Sequence, residues 1–308
     1  MEFRNTKINL SWINERAATD PAAFVAEEEA AYRKEMLDIA DEILSNGVCK
    51  IVMLAGPSSS GKTTSAYMLK AEFIKRGIKS AVVSLDDFYG GGHELPKLEN
   101  GEPNFESIYA LDLDEIERCF SEIIKHGKSN IPVFDFMNGK RSEKTYPLDV
   151  TNGIVIVEGL HALNPILISK LESACVKKIY VSVNTKIFGD NGKKLLSSRQ
   201  LRLIRRLSRD FIYRNSSAEN TLNLWTAVTQ GEEKNLNCYK DSADINVITL
   251  HAYEPCIFRE IILVMLENLD ESSDNYKYAI AVREALKAFV SLSPDIVPST
   301  SLIREFLK

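Results

Sequence analysis

Along the middle of the chain, short unbroken apolar runs alternate with stretches in which apolar residues recur every three or four positions. The first pattern predicts buried strands and the second amphipathic helices. Ile51-Val52-Met53-Leu54-Ala55 predicts a strand over 50–55, and the spacing after it a helix over 62–76 that Gly77 ends. Further strands are expected at 79–85, 153–159, 177–183 and 244–248. Helices are expected from Asp112 or Asp114 to His126, and at 165–173, 198–214 and 218–230. Ile131 to Phe136 reads as an edge strand or extended segment because Pro132 brings no N–H, and Asn138 to Arg141 reads as a positively charged turn. This order of elements predicts an α/β fold, a parallel sheet with helices on both faces.

Outside that core the pattern is helical. Residues 1 to about 20 are polar and weakly patterned; Asp20-Pro21 then opens a helix to Leu44, stopped by Asn46-Gly47. Its acidic run, Glu27 to Glu29, is expected on a solvated face. Helical stretches close the chain at 254–269, 275–291 and 300–307. The expected organisation is an N-terminal helical extension over 1–47, a core over 48–250 and a C-terminal helical region over 251–308. The terminal helices are expected to serve packing or a homo-oligomer surface rather than chemistry.

Composition narrows the functional classes. With 44% hydrophobic and 26% charged residues among 308, the chain has the composition of a soluble globular protein. A net charge of −5 supplies no broad basic field, so a stable nucleic-acid partner is not expected. The five cysteines form no C-x-x-C pair, which fits a reducing, cytoplasmic setting better than a disulfide framework or a zinc site. No apolar run approaches the ~20 residues of a spanning helix, and Met1 to Trp12 lacks a signal-peptide core.

The chemistry centres on GPSSSGKT, Gly56 to Thr63, which fits the pattern G-x-x-x-x-G-K-S/T between a predicted strand and a predicted helix. Gly56 and Gly61 let the backbone turn N–H groups inward around phosphate oxygens, with Ser58, Ser59, Ser60 and Thr64 in the same cradle. The new helix adds the positive end of its dipole. Lys62 can reach β- and γ-phosphates, and the Thr63 hydroxyl can bind Mg²⁺. Asp86 and Asp87 end the next strand, where parallel sheets place functional loops; a solvated acidic turn is the bland alternative. Glu158 ends another central strand. Residues 198–214 place Leu201, Ile204, Leu207, Phe211 and Ile212 on one helical face, with Arg202, Arg205, Arg206 and Arg209 around the rest. They read either as a solvated basic helix or as cations over a transferred phosphate.

Taken together, GPSSSGKTT at 56–64, SLDDFY at 84–89, NFES at 104–107 with ALDLD at 110–114, IPVFDF at 131–136, IVIVEGLHALNP at 154–165 and RLIRRLSRDFIYRN at 202–215 resemble the uridine kinase and phosphoribulokinase family of P-loop kinases. The resemblance spans about residues 48–260, and GEEKN at 231–235 followed by Asp244 is similar to bacterial uridine-kinase-like proteins. It implies a P-loop NTPase-type fold and ATP-dependent phosphorylation of a hydroxyl on a ribose-type substrate, with ATP and Mg²⁺ as cofactors. Asp86 matches the catalytic aspartate that takes or orients the hydroxyl proton. Thr63 and Glu158 match Mg²⁺ ligands. Arg206, Arg209 and Arg214 match arginines of a lid, here around 198–216, that closes over the phosphates. Tyr89, Glu106, Phe134 and Arg141 match acceptor-site positions.

Two positions depart from the family pattern. Uridine- and cytidine-specific relatives carry a tyrosine and a histidine where this chain has Phe134 and Gly139. Phe134 keeps a stacking surface without the hydroxyl, and Gly139 offers no imidazole. A nucleoside is the leading acceptor. A sugar phosphate or other hydroxylated metabolite, which would want more cation near Arg141, is the second, and a non-catalytic ATP-dependent regulatory protein the third.

Overall fold

The apolar runs assemble into a five-stranded, all-parallel sheet whose strands lie in the order 245–248, 176–182, 51–55, 154–158 and 80–84. The structure is a computed structural model and describes residues 6–45, 47–90, 95–97, 101, 104–135, 138–169, 171, 176–267, 269 and 275–308. Asn46, Phe136 and the expected helix end at 172–173 lie outside the described residues. In chain order the elements are β1 (Thr6–Asn9), α1 (Leu10–Thr19), α2 (Pro21–Ser45), β2 (Ile51–Ala55), α3 (Lys62–Lys75), β3 (Ser80–Ser84), α4 (Leu113–His126), β4 (Lys128–Asp135) and β5 (Lys140–Asp149). There follow β6 (Ile154–Glu158), α5 (Pro165–Ile168), β7 (Val176–Ser182), β8 (Thr185–Phe188), β9 (Lys194–Leu196), α6 (Ser198–Arg214), α7 (Ala218–Asn235), β10 (Ile245–Ile248), α8 (Glu254–Met265) and α9 (Tyr276–Lys287).

Every residue of β2 and β6 is buried, as a central parallel strand requires. Their two faces feed two apolar cores. One joins Val52, Leu54 and Ile156 to α2, α6, α8, α9 and the last residues Leu302 to Leu307. The other joins Met53, Val155 and Val157 to α4 and the 3-10 turn Leu85–Phe88. The terminal helices therefore share a continuous core with the sheet and are not an appendage. Burying each Phe, Leu or Ile there contributes roughly 1.5–3 kcal/mol.

Helix ends form where the sequence places caps. The Asp20 carboxylate accepts from Ala23 N–H at 2.9 Å, and Asp112 from Glu115 N–H at 3.1 Å. Ser197 and Gln200 make a reciprocal capping box at the start of α6.

Four expectations change. Residues 6–9 are a strand, β1, pairing in parallel with β8, which in turn pairs with β9. The expected turn at Asn138–Arg141 instead leads into β5, which pairs antiparallel with β4 as a two-stranded ribbon. Residues 302–306 form a 3-10 helix rather than an α-helix. The acidic run is not a solvated face. Glu27 pairs with Arg16 at the surface, but the Glu28 carboxylate accepts from Ala252 N–H at 2.7 Å, and buried Glu29 accepts from Tyr253 Oη at 2.5 Å and from Ser301 Oγ. Polar partners 224 and 272 residues away in sequence satisfy these carboxylates, a pairing that local pattern cannot show. Among the described residues no helix is long and apolar enough to cross a membrane.

Candidate active site

The loop between β2 and α3 takes the shape its glycines allow. A Cβ on Gly56 would lie 2.2 Å from Val181 O, so only glycine fits there. Gly61 has φ +83°, and a Cβ on it would meet Leu302 at 2.8 Å. Ser59, at φ +59°, takes the same left-handed region without that freedom.

What holds the loop is α6. Arg202 Nη1 donates to Ser58 O at 3.2 Å and Arg205 Nη1 to Ser59 O at 3.3 Å. Thr249 Oγ1 donates to Ser60 O at 2.7 Å. Three successive carbonyls are thus tied outward, while the Ser58 N–H donates to Glu232 Oε1 at 2.7 Å and the Ser60 N–H to Pro57 O at 3.2 Å. The arginines are themselves fixed. Arg202 forms a bidentate pair with Glu232 at 2.9 and 2.7 Å, and Arg205, fully buried, one with Glu254 at 2.7 Å for both bonds. Burial alone would raise Glu254, but Arg205 and the contact from His251 outweigh it and hold the carboxyl at about 2. The reading of Arg202 and Arg205 as a solvated basic face is thus replaced. Trp225 completes the clamp, with the Arg202 guanidinium 5.2 Å from its ring centre.

At the carboxyl ends of β2, β3 and β6 lies a cavity of about 860 Å³. It gathers Ser58, Ser59, Gly61, Lys62 and Thr63 with Asp86, Glu158, Arg206, Arg209 and Arg214. Tyr89, Glu106 and Phe134 line its other part, with Gly139. Gly56, Ser60 and Thr64 are not among the residues that line it. Arg141 does not reach the cavity: its guanidinium is 2.5 Å from Asp112 and 3.7 Å from Glu115. Arg141 is thus held by two carboxylates outside the lining, although the sequence placed it among the acceptor-site residues.

Within the cavity, Thr63 Oγ1 lies 3.3 Å from Glu158 Oε1, and Arg206 Nη1 donates to Ser58 Oγ at 2.9 Å. Burial pushes Asp86 above the ordinary aspartate range, against the pull of Lys62 and a hydrogen bond from Tyr89. Burial likewise raises Glu158, against Lys62, with Asp86 adding repulsion. Glu106 is raised by burial and by Glu232. These three carboxyls share the cavity with Lys62, Arg206, Arg209 and Arg214, so net charge alone does not select a divalent cation. Thr63 and Glu158 fit one: Mg²⁺ takes one or two protein oxygens and fills its shell with water and phosphate. Among the described residues no group of three or more His, Cys, Asp or Glu side chains could hold a metal alone.

Tyr89, Phe105 and Phe134 meet edge to face, with ring centres 5.3, 5.5 and 6.4 Å apart. Sequence reasoning found Tyr89 and Phe134 but passed over Phe105, which stands beside Glu106. It also passed over Glu232 and Glu305, both of which line the cavity.

Residues 51–253 match the family model described as "Phosphoribulokinase / Uridine kinase family". The chain belongs to this family. The uridine kinase of Ureaplasma parvum is 26% identical over 200 residues, covering 64% of this chain and 87% of that protein. The uridine kinase of Staphylococcus epidermidis is 28% identical over 198 residues, covering 63% and 85%. The solved phosphoribulokinase from Rhodobacter spheroides is similar with a TM-score of 0.43 at 18% identity, covering 68% of this chain and 74% of that one. This family member is a P-loop kinase, an enzyme that phosphorylates a small molecule.

Proposed function

We propose that the chain transfers the γ-phosphoryl group of ATP to the 5′-hydroxyl of a nucleoside. The observation that carries this reading is the shared cavity. It joins a phosphate loop with Lys62 at one side to Asp86 and a three-ring aromatic wall at the other. The rings give a base a stacking surface, and Glu106 beside them can accept from ribose hydroxyls. The loop amides and Lys62 hold the phosphates. Asp86 accepts the proton as the acceptor oxygen bonds to the γ-phosphorus and the bond to the β–γ bridging oxygen breaks. Arg206, Arg209 and Arg214 stand where charge grows on the transferred group. Mg²⁺ bound through Thr63 and Glu158 would neutralise the β- and γ-phosphate oxygens.

With Arg141 engaged by Asp112 and Glu115, the cation that a sugar-phosphate acceptor would want is not offered. The test is a panel of nucleosides and sugars incubated with Mg-ATP, with products identified by mass. A nucleoside 5′-monophosphate is expected. Phosphorylation of sugars alone would overturn the acceptor assignment, and no product at all would point to the regulatory alternative. Asp86→Asn should lower kcat by on the order of 10²–10⁴, the range of general acid–base contributions, while ATP affinity stays near the wild-type value.

A further inference from the structure

The family match ends at residue 253, yet the 3-10 helix Leu302–Phe306 forms part of the cavity wall. Its contact with the phosphate loop is intimate. The fully buried Leu302 side chain packs on Gly61, and Thr64 Oγ1 donates to Glu305 Oε2 at 2.7 Å. The segment is held rigidly from behind: Ser208 Oγ donates to Phe306 O at 2.6 Å, Tyr213 Oη to Leu307 O, and Ser301 Oγ to Glu29. A carboxylate is thus presented to the cavity from a fixed backbone. Among the described residues, its second oxygen, Oε1, accepts no hydrogen bond.

Such a carboxylate repels phosphate oxygens and accepts from hydroxyl or amino groups. Its position agrees. Thr63 and Thr64 are successive residues at the start of α3 and project about 100° apart. Thr63 faces Glu158 and the transfer site, and Thr64 faces Glu305. Glu305 therefore meets the cavity on the Thr64 side of the helix start, away from the Thr63–Glu158 pair.

We propose that Glu305 is a specificity-determining residue for the phosphate donor, its free oxygen accepting from a hydroxyl or amino group of the donor's nucleoside part. This rests on the kinase reading above. Titration calorimetry with the full chain, without acceptor, tests it. Glu305→Gln keeps an acceptor for Thr64 but loses the charge, and it should weaken Mg-ATP binding about tenfold, the effect of a hydrogen bond to a charged group. Wild type should disfavour one analogue, 2′-deoxy-ATP, 3′-deoxy-ATP or inosine triphosphate, by a similar factor, and Glu305→Gln should lose that discrimination. The analogue affected tells ribose from base. A purely structural role at Thr64 would move the thermal midpoint and leave discrimination intact, overturning the proposal, as would unchanged ATP affinity in the variant. If wild type binds no Mg-ATP, the kinase reading itself falls as well.

Discussion

Arg202 and Arg205, on the first half of α6, are buried against Glu232 and Glu254, whereas Arg209 and Arg214, on its last half, face the cavity and share Asp210. The same side chain on one helix meets two electrostatic conditions. In the first half each guanidinium has a full carboxylate partner and spends its remaining donors on loop carbonyls. In the second half, two arginines have one carboxylate between them, and Arg206, which also pairs with Asp210, has its other contact on Ser58. Burial lowers Arg206 from the usual arginine range, and the neighbouring Arg209 and Arg214 push the same way. Excess positive charge there is costly until an anion arrives, which suits charge that develops during phosphoryl transfer. A buried pair contributes little net stability over an apolar replacement, so the first half of α6 is better understood as fixing the shape of the loop. A lid that moved as one body over 198–216 would have to break both buried pairs.

The comparison can be broken first at its buried end. Glu254→Ala leaves Arg205 buried without its partner and should destabilise the fold by about 3–5 kcal/mol, read from urea unfolding. A shift under 1 kcal/mol would mean that water or another group replaces the pair easily. At the open end, Arg209→Ala should cut kcat by on the order of 10²–10³, as loss of one transition-state donor does, while stability stays within about ±0.5 kcal/mol. Equal losses of stability in both variants would erase the distinction.

Acid sharpens the same contrast. Glu254 is held at about 2 in the folded chain, below the roughly 4.3 of a free glutamate. Its contribution to stability is therefore complete above the unfolded value and is lost as pH falls towards 2. Unfolding midpoints measured between pH 5 and pH 2 should drop in wild type and drop less in Glu254→Gln. The smallest effect is expected at Arg214, more than half exposed at 57%. Arg214→Ala should lower kcat no more than roughly fivefold, since solvent screens an exposed charge.

Much of this arrangement was legible in the residues. The phosphate loop, Asp86 at the end of β3 and Glu158 at the end of β6 could be placed because their mechanism depends on short-range order: strand, loop, helix. Three things were not. The ribbon of β4 and β5 is largely solvent-facing in β5, so Lys140 to Asp149 shows charge where a strand signal needs apolar alternation. The buried arginines read as surface because their partners stand 30 and 49 residues away. Glu305 carries no local signal whatever, since its meaning comes from Thr64.

That last contact joins positions 241 residues apart. During synthesis the chain grows from its N-terminus at ≈ 5–20 residues per second. The phosphate loop leaves the ribosome before the segment that packs on Gly61, which follows roughly ten to fifty seconds later by that rate. Until then the methyl groups of Leu302 and the carboxylate of Glu305 are missing from the nucleotide cavity, and one face of the sheet is open where Phe306 will seat. A nascent chain can build its central strands in order, but its site closes in a late, long-range step, which makes slow maturation an intrinsic property of this topology.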